Sequence, residues 1–239
     1  HSTLDAVRTV KPTMRTWQNW QDVPADESLD IKTIAGDDDL TIDDSLKICQ
    51  AVKSVFSKKL KRNHARITPM VIEVTDEWSS NKNQQPPRLV SRIKGEEIVS
   101  QVKAMIDATV VTESRANAHS QVTLARKPDG TWRFCIDFRR LNVATKAECK
   151  WPLPRIDTML QRLGAKKPKY FAVLDLTKGY YQAPLHEKCR HLTAFITPGG
   201  VYEWTREAMG LKGAPSYFQR AMATEVLPGL LYEACEVYL

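Results

Sequence analysis

Two turn signals constrain this chain more than any other feature. Pro128-Asp129-Gly130-Thr131 separates the strand-like runs SQVTLARK and TWRFCIDF, and Gly199-Gly200 separates LTAFITP from VYEWTR. Turn residues between two β-rich runs predict hairpins, because Gly adopts the positive φ that tight connections need. The chain must therefore hold two antiparallel ribbons. An isolated hairpin is marginal in water, so each ribbon needs a further apolar surface to pack against.

Helical patterns can supply that surface. Ile98, Val102, Met105 and Ile106 share one side over 94–108. Residues 155–163 predict a short helix closed by Gly164, and Pro215 can open a helix running to about Val226. A further helix is expected over 46–60, with its N-cap near Asp44 or Ser45. RITPMVIEV reads as a strand. YFAVLDL reads as a buried strand, and CEVYL as the start of another. SSNKNQQPPR, polar with a Pro pair, reads as an extended linker and an internal boundary. Strands and helices that do not alternate strictly favour an α+β fold.

Charge is unevenly spread. Residues 1–44 carry a balance of −6 and the remainder +13, which together give the net +7 of the 239-residue chain. A basic body points to a polyanionic partner. No run of 18 apolar residues exists, so no membrane-spanning helix is expected, and a soluble intracellular protein is. The five cysteines, Cys49, Cys135, Cys149, Cys189 and Cys235, lack Cys-x-x-Cys spacing. That pattern disfavours both a disulfide framework and a structural zinc site.

Three segments carry candidate chemistry. In YFAVLDLTKGYYQAPL an apolar run ends at Asp175, a hard oxygen donor of the kind Mg²⁺ prefers. In MGLKGAPSYFQRAM a Gly-bracketed turn enters a helix at Pro215, which would present Ser216, Gln219 and Arg220 to a groove. In ARKPDGTWRFCIDFRRLN a basic hairpin brings Lys127 and Arg133 together, a sensible clamp for a triphosphate.

The ordered series PDGTWRFCIDFRRLN, WPLPRID, DLTKGYYQ, TAFITPGGVYEW, GLKGAPSYFQ and the terminal VYL resembles gypsy-type LTR retrotransposon reverse transcriptases, from about Pro87 to Leu239. The resemblance implies basic fingers and a palm with an antiparallel sheet backed by helices. The implied divisions are a partly ordered leader over 1–70, fingers over 71–146, and a palm over 147–239 interrupted by a fingers insertion around 183–212. It implies an RNA-directed DNA polymerase that adds dNTPs to a primer 3′-end on an RNA template, assisted by two Mg²⁺ or Mn²⁺ ions. The alternative is a catalytically dead remnant that only binds nucleic acid. Particle or nucleus would both suit such a protein, and no oligomeric state follows.

Roles are implied residue by residue. Asp175 and the Leu176 carbonyl would hold metal, and Tyr180 would exclude a 2′-hydroxyl by lying under the nucleotide sugar. Lys127 and Arg133 would contact the triphosphate. Met209 stands where the family usually has Phe, in the sugar platform. Arg139, Asn142, Gly210, Lys212, Gly213, Pro215 and Gln219 would lie against template and primer. The family's paired aspartates would follow Leu239, so this fragment alone is expected to be inactive.

Overall fold

The β-hairpins form where the turn chemistry places them. This computed structural model describes residues 60–79, 83–84, 86–146, 151–167 and 173–238. The acidic leader, most of the helix expected over 46–60, the start of YFAVLDL and Leu239 lie outside the described residues. β1 (Val111–Glu113) is followed by the hairpin β2 (Ser120–Arg126) and β3 (Trp132–Asp137). At its tip Asp129 accepts both the N–H and the hydroxyl of Thr131, and Gly130 takes φ +82°. The second hairpin pairs β4 (Phe195–Thr197) with β5 (Gly200–Trp204), and Gly200 has φ +137°.

The five strands make one sheet in the order β1-β5-β4-β2-β3. Three pairings are antiparallel. β2 and β4 run parallel, with Ser120 opposite Phe195, so the sheet is mixed. The second hairpin is thus inserted between β1 and β2, although β2 ends at Arg126 and β4 begins only at Phe195. Alternation in β2 buries Ser120, Val122 and Leu124 on one face. Helix α1 (Arg92–Asp107) covers the sheet with Ile98 and Val102, while Ile106 of the expected apolar side is exposed. Phe195 and Trp204 are fully buried and meet at 6.0 Å between ring centroids, and Phe134 packs edge-on to Phe195. Burial of such side chains contributes about 2–3 kcal/mol each.

Helix α2 (Arg139–Ala144) has no capping signal in the sequence and follows β3 directly. It joins the core through Leu141 and Ala144. Helix α3 (Ile156–Lys166) runs through Gly164 and stops at Lys167, which takes φ +44°, so Gly164 is not the terminator. After the single turn α4 (Glu187–Arg190), helix α5 (Ala214–Ala221) starts at Pro215 and continues as a wider π turn to Val226.

Three expected strands are absent among the described residues. RITPMVIEV makes only two isolated bridges, Met70 to Leu185 and Val74 to Thr145, so its buried Met70 and Ile72 pack without a ladder. Residues 173–176 of YFAVLDL are irregular and exposed, with Leu174 at 82%. Of CEVYL, Cys235 makes one bridge to Leu231, and 236–238 are irregular. A strand needs a paired neighbour along its length to satisfy its backbone; 173–176 have no ladder partner among the described residues, and 235–238 have only the bridge to Leu231. The C-terminal segment is held instead by α3. Arg162 donates two 2.7 Å bonds to the carboxylate of Glu236 and lies over the Tyr232 ring, and Lys166 donates to the carbonyls of Tyr232 and Glu233. No helix among the described residues is long and apolar enough to cross a membrane.

Candidate nucleotide and nucleic-acid site

Asp175 sits on an exposed loop, immediately before a tightly hydrogen-bonded turn. Lys178 takes φ +49° and admits the short 3₁₀ helix Gly179–Gln182. Gly179 N–H donates to the Leu176 carbonyl, Tyr181 N–H to Lys178, and the Gln182 side chain to Thr177. The Leu176 carbonyl expected to assist a metal is therefore engaged in the turn. Gly179 lies close to Phe218 and Leu176, where an added Cβ would make ordinary contacts at 3.4 and 3.5 Å.

The two tyrosines of this turn diverge. Tyr181 packs on Trp204 of β5 at 5.1 Å, and burial pushes its phenol up to about 12. Tyr180 meets Phe218 of α5 edge-on at 5.2 Å. Burial raises its phenol too, and the Glu207 carboxylate adds to the shift. The sheet thus anchors Tyr181, and Tyr180 is held beside the exposed loop that bears Asp175.

The glycine turn ahead of α5 is fastened from α2. Gly210 has φ +95°, a conformation that favours glycine. Asn142 donates to the Gly210 carbonyl at 2.9 Å and accepts from the Lys212 N–H at 2.8 Å. Lys212 donates in turn to the Thr145 carbonyl at the end of α2. Asn142 and Lys212 therefore bind each other's element, and Lys212 remains exposed. Met209 is exposed, at 61%. Gly213 is buried and Pro215 half-buried at the start of α5. Gln219 does not face a groove. It is 1% exposed, and its Oε1 lacks a hydrogen-bond partner. Of the three α5 residues expected at a groove, Arg220 is exposed and Ser216 half-buried.

On the basic hairpin, Arg133 lies opposite Ala125, two residues before Lys127, so the two cations are diagonal neighbours on one face. Arg133 is exposed and Lys127 half-buried. Arg139 is exposed and paired. It makes a bidentate pair with Asp137 at 2.8 and 2.7 Å, and Arg88 adds a third bond at 2.9 Å. Hydrogen bonding from Arg139 first, and from Arg88 as well, holds the Asp137 carboxyl far below the usual carboxylate range. These groups line a cleft of about 480 Å³ with His119 and Arg140. Arg88, His119 and Arg140 carry no sequence signal except that Arg140 adjoins Arg139.

No group of three or more potential metal ligands occurs among the described residues. Asp175 alone supplies one carboxylate, so the described residues do not by themselves fit a pair of ions.

The family "Reverse transcriptase (RNA-dependent DNA polymerase)" matches residues 125–236. The chain is 40% identical over 153 residues to a retrovirus-related Pol polyprotein from transposon 412 of Drosophila melanogaster, covering 62% of the chain and 12% of that relative. It is 36% identical over 146 residues to the corresponding polyprotein of transposon gypsy of the same fly, covering 59% and 14%. The chain thus spans only a small part of the length of these curated relatives. A foamy viral protease-reverse transcriptase solved in complex with an RNA/DNA hybrid shares the fold at TM-score 0.62 and 16% identity, over 80% of this chain and 26% of that one. With an α+β sheet of the same fold and Pol polyprotein relatives, residues 125–236 form a domain that matches the reverse transcriptases and resembles those of retrotransposons.

Proposed function

We propose that this domain is the fingers and part of the palm of an RNA-directed DNA polymerase that extends a primer 3′-end with dNTPs. On this reading residues 71–146 and the returning segment around 183–212 build the fingers, and the rest of 147–239 belongs to the palm. The protein works inside the cell, on RNA template and DNA primer. The reaction is in-line attack of the 3′-hydroxyl on the α-phosphorus, with pyrophosphate leaving.

The observation that carries the proposal is the Lys178–Gln182 turn, which holds Tyr180 against Phe218 beside the exposed Asp175. Tyr180 would meet the nucleotide sugar and exclude a 2′-hydroxyl. Lys127 and Arg133 would grip the triphosphate with charge-assisted bonds. The cleft lined by Arg88, Arg139 and Arg140 supports contact with a phosphate backbone, and the foamy viral neighbour's RNA/DNA hybrid supports the same partner class. Mg²⁺ ions, when bound, would activate the 3′-hydroxyl and neutralise the triphosphate. Asp175 would be one of several carboxylates that together hold the ions.

The test is primer extension on an RNA template by the Pol protein that contains this domain. Mg²⁺-dependent incorporation of dNTPs supports the reading. Tight, salt-sensitive hybrid binding with no incorporation would favour a binding-only remnant instead.

A further inference from the structure

A buried guanidinium sits behind the tyrosine turn. Arg206, just past the end of β5, is only 1% exposed. Its Nη1 donates to the carbonyls of Lys61 at 3.2 Å and Tyr181 at 3.0 Å. Its Nη2 donates to the Arg62 carbonyl, to the Thr109 hydroxyl at 2.9 Å and to the Ala108 carbonyl at 3.4 Å. These five acceptors come from three separate segments: the connector at 61–62, the end of α1 with its turn at 108–109, and the tyrosine turn. A cation so deeply buried is costly unless its donors are matched. A planar fork with five N–H donors can serve three segments at once, which an ammonium cannot.

The neighbouring bonds extend the knot. Glu207 N–H donates to the Ala183 carbonyl, Ala183 N–H to Tyr180, and Ala65 N–H to Gln182. Thr109 hydroxyl donates to the Arg62 carbonyl at 2.6 Å. Tyr181 is thereby tied to Arg206, Ala183 to Glu207 and Gln182 to Ala65 of the connector, while the Tyr180 carbonyl is reached one step later through the Ala183 N–H.

We propose that Arg206 is a positioning residue that sets the Tyr180 turn and couples it to the connector at residues 61–65. The consequence for nucleotide choice rests on the proposed role of Tyr180. Arg206 touches no nucleotide itself. It acts by fixing the Tyr181 carbonyl, and so the orientation of the preceding ring against Phe218.

The experiment compares amide hydrogen exchange in this chain with Arg206, Arg206→Lys and Arg206→Met. The expected result is exchange about tenfold faster or more at Gly179, Tyr181, Ala183 and Ala65 in Arg206→Met. A smaller change is expected in Arg206→Lys, with the β2–β3 amides unchanged in both. Acceleration at Ala65 alone, no acceleration, or equal loss across β2–β3 would overturn the proposal. Should Arg206→Met not fold, Arg206→Lys is judged by the same pattern. This arm needs no polymerase activity, so it fails independently of the functional reading. In the polymerising protein, Arg206→Lys should lower the dNTP-over-rNTP ratio of kcat/KM about tenfold while KM for primer–template stays constant. An unchanged ratio would remove the link to the sugar.

Discussion

Asn142 and Lys212 lie seventy residues apart, and the side chain of the first accepts the main-chain N–H of the second at 2.8 Å. The same amide donates to Gly210, and the Lys212 ammonium returns a bond to Thr145. Helix α2 and the glycine turn thus form one closed circuit of hydrogen bonds. That circuit gives an Asn and a Lys at these two positions a structural role.

Asn142→Ala should therefore destabilise the domain by about 1–2 kcal/mol, because two backbone groups of the turn lose their partners. Asn142→Asp keeps the acceptor and should cost less. Urea denaturation of the three proteins measures this order. Gly210→Ala should cost about 1 kcal/mol from its φ of +95° alone, since the added Cβ meets only Phe138 at an ordinary 3.8 Å.

What the sequence revealed, and what it hid, follows from the range of the forces involved. The hairpin at 128–131 was legible because Asp129, Gly130 and Thr131 determine that turn among themselves. Pro215 likewise marked the start of α5. Helix α2 was not legible. Its six residues lack a capping side chain and are held by tertiary contacts of Leu141 and Ala144. Arg206 carries no local signal, and its burial depends on carbonyls from up to 145 residues away. Gln219 seemed ready for a groove because helical spacing does not reveal which face the core takes. The apolar run before Asp175 looked like a buried strand, yet a strand is only realised with a partner beside it.

The ion pair at the end of the chain should be strongly coupled. Glu236 keeps only 9% of its side chain exposed beneath Arg162. Glu236→Gln or Arg162→Met should each cost about 2 kcal/mol, because each leaves a partly buried charge without its partner. The double variant Arg162→Met with Glu236→Gln should cost less than the two single losses added together. Thermal melts of the four proteins give the coupling as a double-mutant cycle.

Acid should loosen the hairpin through Asp137. Its folded carboxyl is held well below its unfolded value, so its contribution is complete above about pH 4 and fades as pH falls towards the lowered folded value. Because Arg139 is largely exposed, the effect is about 1 kcal/mol or less and shrinks in salt. Asp137→Asn should flatten the acid limb of a pH–stability curve.

Alkali should act through Tyr181. Its phenol is raised to about 12 in the folded chain against about 10 when unfolded, so the neutral phenol favours folding. That contribution, about 2–3 kcal/mol at most, is intact below pH 10 and is lost between pH 10 and about 12. Ultraviolet titration of tyrosinate should show Tyr181→Phe removing a late-titrating component.

The most direct test of the polymerase reading is single-turnover primer extension on an RNA template, comparing Asp175 with Asp175→Asn in the Pol protein that contains this domain. The account predicts Mg²⁺-dependent extension that falls by about a thousandfold or more on substitution, with primer–template affinity unchanged. Equal extension by both proteins would contradict it.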